Sequence, residues 1–158
     1  MSILSAGTSN TTSIIYTGDT TGALVFQTNG TTEAMRITAA QLVGIGTSSP
    51  TAQLTVANDA LISGLSIGKG GGSVSTNSIL GYQALYSNTT GSNNTAIGYQ
   101  AGYSNTTGAI DAFGSTAGYS NTTGTYNVAV GFLSLYTNST GSYNTAVGNR
   151  ALAYNTGG

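Results

Sequence analysis

The residues best suited to bind a ligand are tyrosines that recur along the second half of this 158-residue chain. Four of them follow one another at a near-constant spacing: Tyr86, Tyr103, Tyr119 and Tyr136. Aromatic rings held on a rod can stack on sugar rings while their hydroxyl groups form hydrogen bonds. Regular repetition equally predicts an aromatic ladder, in which the rings stack on one another and have a structural role. The row is therefore a candidate glycan-binding surface, with the ladder as the first interpretation.

Residue types that carry out catalysis are scarce. The chain has no His and no Cys, which excludes imidazole bases, thiol nucleophiles and the usual zinc sites. Glycoside hydrolysis needs two carboxyl groups within about 10 Å of each other. The four carboxylates share no local motif: Asp19, Glu33, Asp59 and Asp111. We therefore expect no enzymatic activity, no metal and no cofactor.

Charged side chains make up only 4% of the chain, against about 25% in ordinary globular domains. So few Lys and Arg residues cannot neutralise many phosphates, which argues against nucleic-acid binding. No apolar run approaches the roughly 20 residues that span a bilayer, so we expect no membrane insertion. The N-terminus lacks the basic and apolar segments of a secretory signal, so an extracellular location would follow from lysis or from assembly on a particle.

The tyrosines belong to a five-fold repeat that fills residues 77 to 158. Each repeat has an anchor glycine after an apolar pair and a second glycine ten residues later. The anchors are Gly81, Gly98, Gly114, Gly131 and Gly148. A short period with β-type composition predicts a β-solenoid or β-roll, in which each repeat covers its neighbour. At about 4.8 Å per repeat, five of them give a shaft on the order of 24 Å long.

Two apolar rows precede the anchors, and strand alternation places them on opposite faces. The residues one before the anchor are large, and those two before it are mostly alanines: Ala96, Ala112, Ala129 and Ala146. We expect the large residues to fill the core and the alanine row to pack between chains at the axis of a homotrimer. The pattern fits both a solenoid in each chain and three chains wound around one another.

Asparagines at the repeat tips form another row: Asn88, Asn105, Asn121 and Asn138. Asn is suited to turns, and stacked amides can form a hydrogen-bond ladder. These residues also match the N-glycosylation pattern, which we interpret as a by-product of Asn-Thr-Thr turns.

The N-terminal part contains short β-type runs separated by turn residues, at 13–17, 23–27, 33–37, 41–46 and 52–56. We predict an all-β chain with three parts. Residues 1–67 form a small β domain or fibre junction, 68–76 a Gly-rich joint, and 77–158 the repeats.

Residues 31–56, TTEAMRITAAQLVGIGTSSPTAQLTV, resemble a segment of tailed-phage tail-fibre proteins, in which an EAMRI strand leads to VGIGT and a Ser-Pro turn. In that family the segment precedes a fibre shaft and, further on, an autocleaving chaperone domain. This sequence shows no such domain before Gly158, so the resemblance implies either its removal or assembly without it.

The repeats themselves, such as NTAIGYQA and NVAVGFLS, resemble the head repeats of trimeric autotransporter adhesins. That family builds a left-handed parallel β-roll within a trimer, from a repeat shorter than the one in this chain. The resemblance supports the architecture and not an outer-membrane origin.

We therefore expect a structural fibre protein of a phage tail or virion appendage, located on the virion or outside the cell, that contributes to host-surface attachment. Its partners would be copies of itself and a host surface glycan. One alternative is an extracellular filament subunit that stacks head to tail. A weaker alternative is a tailspike-type polysaccharide depolymerase.

Overall fold

The computed structural model describes residues 22–28 and 32–156, and within them the structure is all-β apart from one short 3-10 turn at Gly71–Ser73. The chain divides into two compact units, Met1–Ala57 and Asn58–Gly158. This confirms the predicted fold class of a small β region followed by a β-solenoid.

The described residues of the first unit form a four-stranded sheet in the order β1-β2-β3-β4. The β1–β2 and β2–β3 pairs are antiparallel, and β3–β4 is parallel. The predicted strand at 13–17 lies outside the described residues. The other four predicted runs overlap the strands β1 (Leu24–Thr28), β2 (Thr32–Ile37), β3 (Val43–Ile45) and β4 (Leu54–Val56), whose ends differ from the predicted ones by at most two residues.

The second unit is a β-solenoid of about four turns built on a seven-stranded sheet. The last five strands are parallel to one another, and one turn of the chain leads from each strand to the next. We call each of these strands, together with the segment that follows it, a rung. The chain therefore forms its solenoid by itself. The strands, in sheet order, are β5 (Ala60–Ile62), β6 (Leu65–Gly68), β7 (Ser78–Leu80), β8 (Thr95–Ile97), β9 (Ile110–Phe113), β10 (Asn127–Val130) and β11 (Thr145–Val147).

Hydrogen bonds between rungs continue beyond the strands. In the rung of β7, the N–H groups of Leu85 and Ser87 donate to carbonyls of the next rung at 3.0 Å. The first four anchor glycines are required at this close approach. A Cβ at Gly98, where φ is +134°, would lie 2.5 Å from the carbonyl oxygen of Gly114 in the next rung. The period of the sequence is therefore the period of a continuous backbone ladder.

Each rung turns through left-handed residues at the second and fourth positions after its anchor. In the rung of β7 these are Gln83, with φ of 54°, and Leu85, with φ of 48°. A left-handed residue interrupts strand alternation, so Ala84 and Leu85 are both buried although they are adjacent. This turn closes the narrow cross-section of the solenoid.

The division between the units lies ten residues before the predicted boundary, between Ala57 and Asn58. The reason is that β6 pairs antiparallel with both β5 and β7, which ties these strands to the solenoid. The Gly-rich segment is also bonded to its surroundings. The Asp59 carboxylate accepts hydrogen bonds from the N–H groups of Lys69 and Gly70 at 2.7 and 2.8 Å, and Gly71 N–H donates to Leu85 O at 3.0 Å.

Candidate functional site

The four predicted tyrosines form one stacked ladder on the surface of the solenoid. Successive ring centroids are 5.4, 5.1 and 5.3 Å apart, and the planes of the first two pairs are within 8° of parallel. These are stacking distances for aromatic rings. The ladder interpretation is thus confirmed for Tyr86, Tyr103, Tyr119 and Tyr136.

The ladder limits how a sugar could bind these tyrosines. Tyr103 and Tyr119 each have a ring stacked on both faces, so they offer only their edges and hydroxyl groups. Tyr86 ends the row and is 60% exposed. Glycan binding by this row remains a prediction, and stacking on a ring face is restricted to the ends of the ladder.

Two further tyrosine pairs stack in the same way, and they were not identified from the sequence. Tyr82 stacks on Tyr99 with centroids 5.8 Å apart, and Tyr126 stacks on Tyr143 at 5.1 Å. The signal was present, because the members of each pair hold equivalent positions in successive repeats. All four rings are between 48% and 78% exposed, so they are accessible aromatic surface.

The assignment of the alanine row to an interchain contact is wrong. Ala96, Ala112 and Ala129 are fully buried within the single chain and Ala146 is 2% exposed, so these side chains belong to the chain's own core. They pack there with Leu85, Leu135 and small residues from the opposite side of the rung. Alanine on the strand side of the rungs of β8 to β11 lets the two walls approach, whereas the rung of β7 carries Ile79 there.

The large residues before the anchors therefore lie outside, on the other face of the sheet. Leu80, Ile97 and Phe113 are 37% to 40% exposed, and Val147 is 67% exposed. Strand pairing places Ile67 of β6 beside Leu80 and so extends the row. We call this set the outer apolar row; its members are Ile67, Leu80, Ile97, Phe113, Val130 and Val147.

The tip asparagines form the predicted hydrogen-bond ladder inside the rungs. Each side-chain Nδ2 donates to a glycine carbonyl of its own tip at 2.9 to 3.1 Å. From the second member onward, each also donates to the Oδ1 of the preceding asparagine at 2.9 to 3.4 Å. The amides are at most 3% exposed, so the glycosylation pattern is carried by side chains that a folded chain does not present: Asn88, Asn105, Asn121 and Asn138.

A second asparagine row at the start of the strands was missed. The Oδ1 of Asn77 accepts from the backbone N–H of Asn94 at 2.9 Å, and Asn127 does the same for Asn144 at 2.9 Å. Ile110 replaces Asn in the rung of β9, where its N–H donates to Asn94 Oδ1 at 2.7 Å. Each of these asparagines thus fixes the register of the next rung.

Carboxylates of the described residues have separate surroundings. Glu33 is paired with Arg36, and Asp59 is bonded to backbone N–H groups as described above. Asp111 lies in β9 between Thr95 and Val128 of the neighbouring strands. In residues 22–28 and 32–156, no three acidic groups come together in a way that could hold a metal ion. No helix within the same ranges is long and apolar enough to cross a membrane.

These contacts define the second unit as a β-solenoid with aromatic and amide ladders. No family model matches the chain, and comparison with curated proteins and with solved structures finds no match either.

Proposed function

We propose that the chain is a structural fibre protein of a phage tail or virion appendage that contributes to attachment to the host surface. The observation that supports this most is the rung-to-rung ladder of backbone, amide and aromatic contacts in the second unit. Such a solenoid is a stiff element whose stability comes from contacts between neighbouring repeats. The tail-fibre resemblance of residues 31–56 supports placing it on a virion.

Fibre assembly in this proposal occurs by association of three copies through the outer apolar row. The row carries no charge, and a set of exposed large apolar residues of this kind marks an interaction surface. Copies related by an axis parallel to the solenoid bring equal rungs to the same level, so each repeat of about 4.8 Å meets an identical repeat. The exposed rings of Tyr82, Tyr99 and Phe132 lie two residues further along the chain and add to the apolar surface.

The virion assignment can be tested with an antibody raised against the purified chain. Particles are purified from the culture whose DNA encodes this sequence and are labelled with immunogold for electron microscopy. We expect label on the tail or on another appendage. Label confined to cell debris or to free filaments, with none on particles, would contradict the assignment.

The alternative, a filament built by head-to-tail stacking, is supported by the open edge of β11. Among the described residues β11 pairs with β10 alone, and the opposite edge strand is β5. Exposed strand edges favour pairing with another chain. A copy stacked on β11 would meet β5 rather than β7, because β6 covers β7 in antiparallel pairing. The repeat would be broken at every junction, so we place this second.

A further inference from the structure

The rung of β9 begins with a connection that is one residue shorter than the others. Before β8, β10 and β11, two residues separate the tip glycine from the asparagine of the second asparagine row. Before β9, Ala109 alone separates the tip glycine from Ile110, which stands in the place of that asparagine. The second residue of each longer connection is left-handed: Asn93, Tyr126 and Tyr143 have φ of 58°, 57° and 60°. The register is already restored at Ile110, which pairs with Asn127. One level of the solenoid therefore lacks the side chain that its neighbours have.

A cleft of about 450 Å³ opens at this position. Its lining includes Asn93 from the rung above, Ala109 and Asp111 from the short rung, and Tyr126 from the rung below. Its volume is in the range of roughly 300–1,000 Å³ that small-molecule sites have. Rungs two levels apart are separated by about 10 Å, so one ring inserted between them lies about 5 Å from Tyr126. At this spacing, the slot left by the missing residue would take one ring.

Tyr126 presents one free ring face to this slot. Tyr143 stacks on Tyr126 with an interplanar angle of 20°, and Tyr126 lines the cleft while Tyr143 does not. Tyr126 nevertheless remains 67% exposed. The central members of the long ladder, Tyr103 and Tyr119, are covered on both faces. Tyr126 is thus a supported aromatic platform beside a cavity.

Polar groups surround the platform. The half-buried Asp111 carboxylate has no hydrogen bond or ion pair within the described part of the chain, and it lines the cleft. Other polar residues, Asn93, Ser92, Thr107 and Thr125, line the same space. A stacking ring combined with a carboxylate acceptor and short hydroxyl or amide groups suits a polyhydroxylated ring with one apolar face.

We propose that this cleft, defined by Tyr126, Asp111 and Asn93, binds a neutral pyranose unit of a glycan. The C–H face of the sugar stacks on Tyr126, and its hydroxyl groups donate to the Asp111 carboxylate and bond to the Asn93 amide. The carboxylate repels acidic sugars. This site is distinct from the Tyr86 row, and it does not depend on the chain being a virion protein.

The test uses the full-length chain and five probes in saturation-transfer NMR and titration. Three are neutral, methyl β-D-galactopyranoside, methyl β-D-glucopyranoside and N-acetylglucosamine; two are acidic, glucuronate and N-acetylneuraminate. We expect binding of at least one neutral probe and weaker binding of both acidic ones. Tyr126→Ala should weaken the binding by about tenfold, the effect of losing one stacked ring. Asp111→Asn should weaken it by about threefold.

The controls separate the slot from general aromatic surface. Tyr154→Ala removes another exposed tyrosine, outside both the cleft and the outer apolar row, and should leave binding unchanged. Inserting one Asn between Ala109 and Ile110 restores the usual connection length and should abolish binding by filling the slot. Circular dichroism and an unfolding curve check that each variant is folded. If the insertion variant does not fold, Tyr126→Ala alone tests whether the cleft binds the sugar. The proposal is overturned if no neutral probe binds, if acidic probes bind equally well, or if Tyr126→Ala or the folded insertion variant binds like the parent chain.

Discussion

Asn121 shows how single residues stabilise this solenoid. Its side chain is fully buried, and it donates to Asn105 Oδ1 at 2.9 Å and to Gly124 O at 3.0 Å. Its own oxygen accepts from Asn127 and Asn138 at 3.1 and 3.4 Å. All four hydrogen bonds of the amide are made inside the protein, so burying it carries little penalty. The ladder stops at Asn138, whose buried Oδ1 has no partner among the described residues.

Replacing Asn121 with alanine should lower the free energy of unfolding by about 3 kcal/mol, because it leaves several buried donors and acceptors without partners. The measurement is a urea unfolding curve of the purified variant beside the parent chain. Thr123→Ala, at the exposed tip two residues away, is the matched control and should change the unfolding free energy by less than about 0.5 kcal/mol. Equal small effects for the two variants would show that the amide ladder does not contribute to stability.

The anchor glycines allow an equally direct test. Gly98→Ala places a Cβ against the next rung and should lower the unfolding free energy by at least about 3 kcal/mol, since backbone strain and a steric clash add. Gly64 also has a positive φ, of 83°, but a Cβ there meets open space. Gly64→Ala should therefore show only the strain, about 1–2 kcal/mol. If thermal or urea unfolding shows that Gly64→Ala is more destabilising than Gly98→Ala, the rungs do not approach each other as closely as described.

At the scale of the element, the rung of β9 differs in composition from its neighbours and fills its core in another way. Leu85 and Leu135 occupy the fourth position after the anchor in their rungs, whereas Gly102 and Gly118 stand there in the two between. Ile110 occupies the space instead. Its Cδ1 lies so close to Gly118 that a Cβ there would collide with it. The core volume lost where Gly replaces Leu is thus filled where Ile replaces the asparagine at the start of the strand.

This compensation predicts coupling between Ile110 and Gly118. Gly118→Ala alone should be destabilising, because its φ is 59° and its Cβ meets the end of Ile110. In an Ile110→Val background the obstructing Cδ1 is gone, so the same substitution should cost about 1 kcal/mol less. A double-mutant cycle of unfolding free energies measures the difference. Strictly additive effects would contradict the packing described here.

The repeat and the ladders could be predicted from the sequence because they depend on period alone. Tyr and Asn side chains that recur once in every repeat must stack once each rung covers the next. The direction of the strand side chains could not be predicted in this way, because alternation identifies two faces without saying which is inside. The buried face is set by the side of the rung opposite the strand, where the left-handed conformation of Leu85 and Leu135 buries two consecutive residues. Leucine rarely adopts that conformation, so a sequence pattern does not reveal it. The cleft beside Tyr126 depends on a missing residue, and its depth follows only from the fold.

At the scale of the whole molecule, the outer apolar row carries the proposed assembly. Ile97→Lys places a charge in the middle of this row, where the side chain is 40% exposed in the single chain. The monomer should tolerate the change, but contact between copies should be lost because a buried unpaired charge is costly. We expect a lower solution mass for Ile97→Lys with an unchanged circular dichroism spectrum. Thr123→Lys, at an exposed tip, is the control and should keep the parent mass; loss of mass in both variants, or in neither, would contradict this interface.

The measurement that tests the account most directly is the solution mass of the full-length chain by light scattering over a dilution series. A closed trimer predicts a constant mass of about 47 kDa, three times the 15.7 kDa of one chain. A mass that rises with concentration would favour the head-to-tail filament, and a constant mass of one chain would contradict assembly through the outer apolar row.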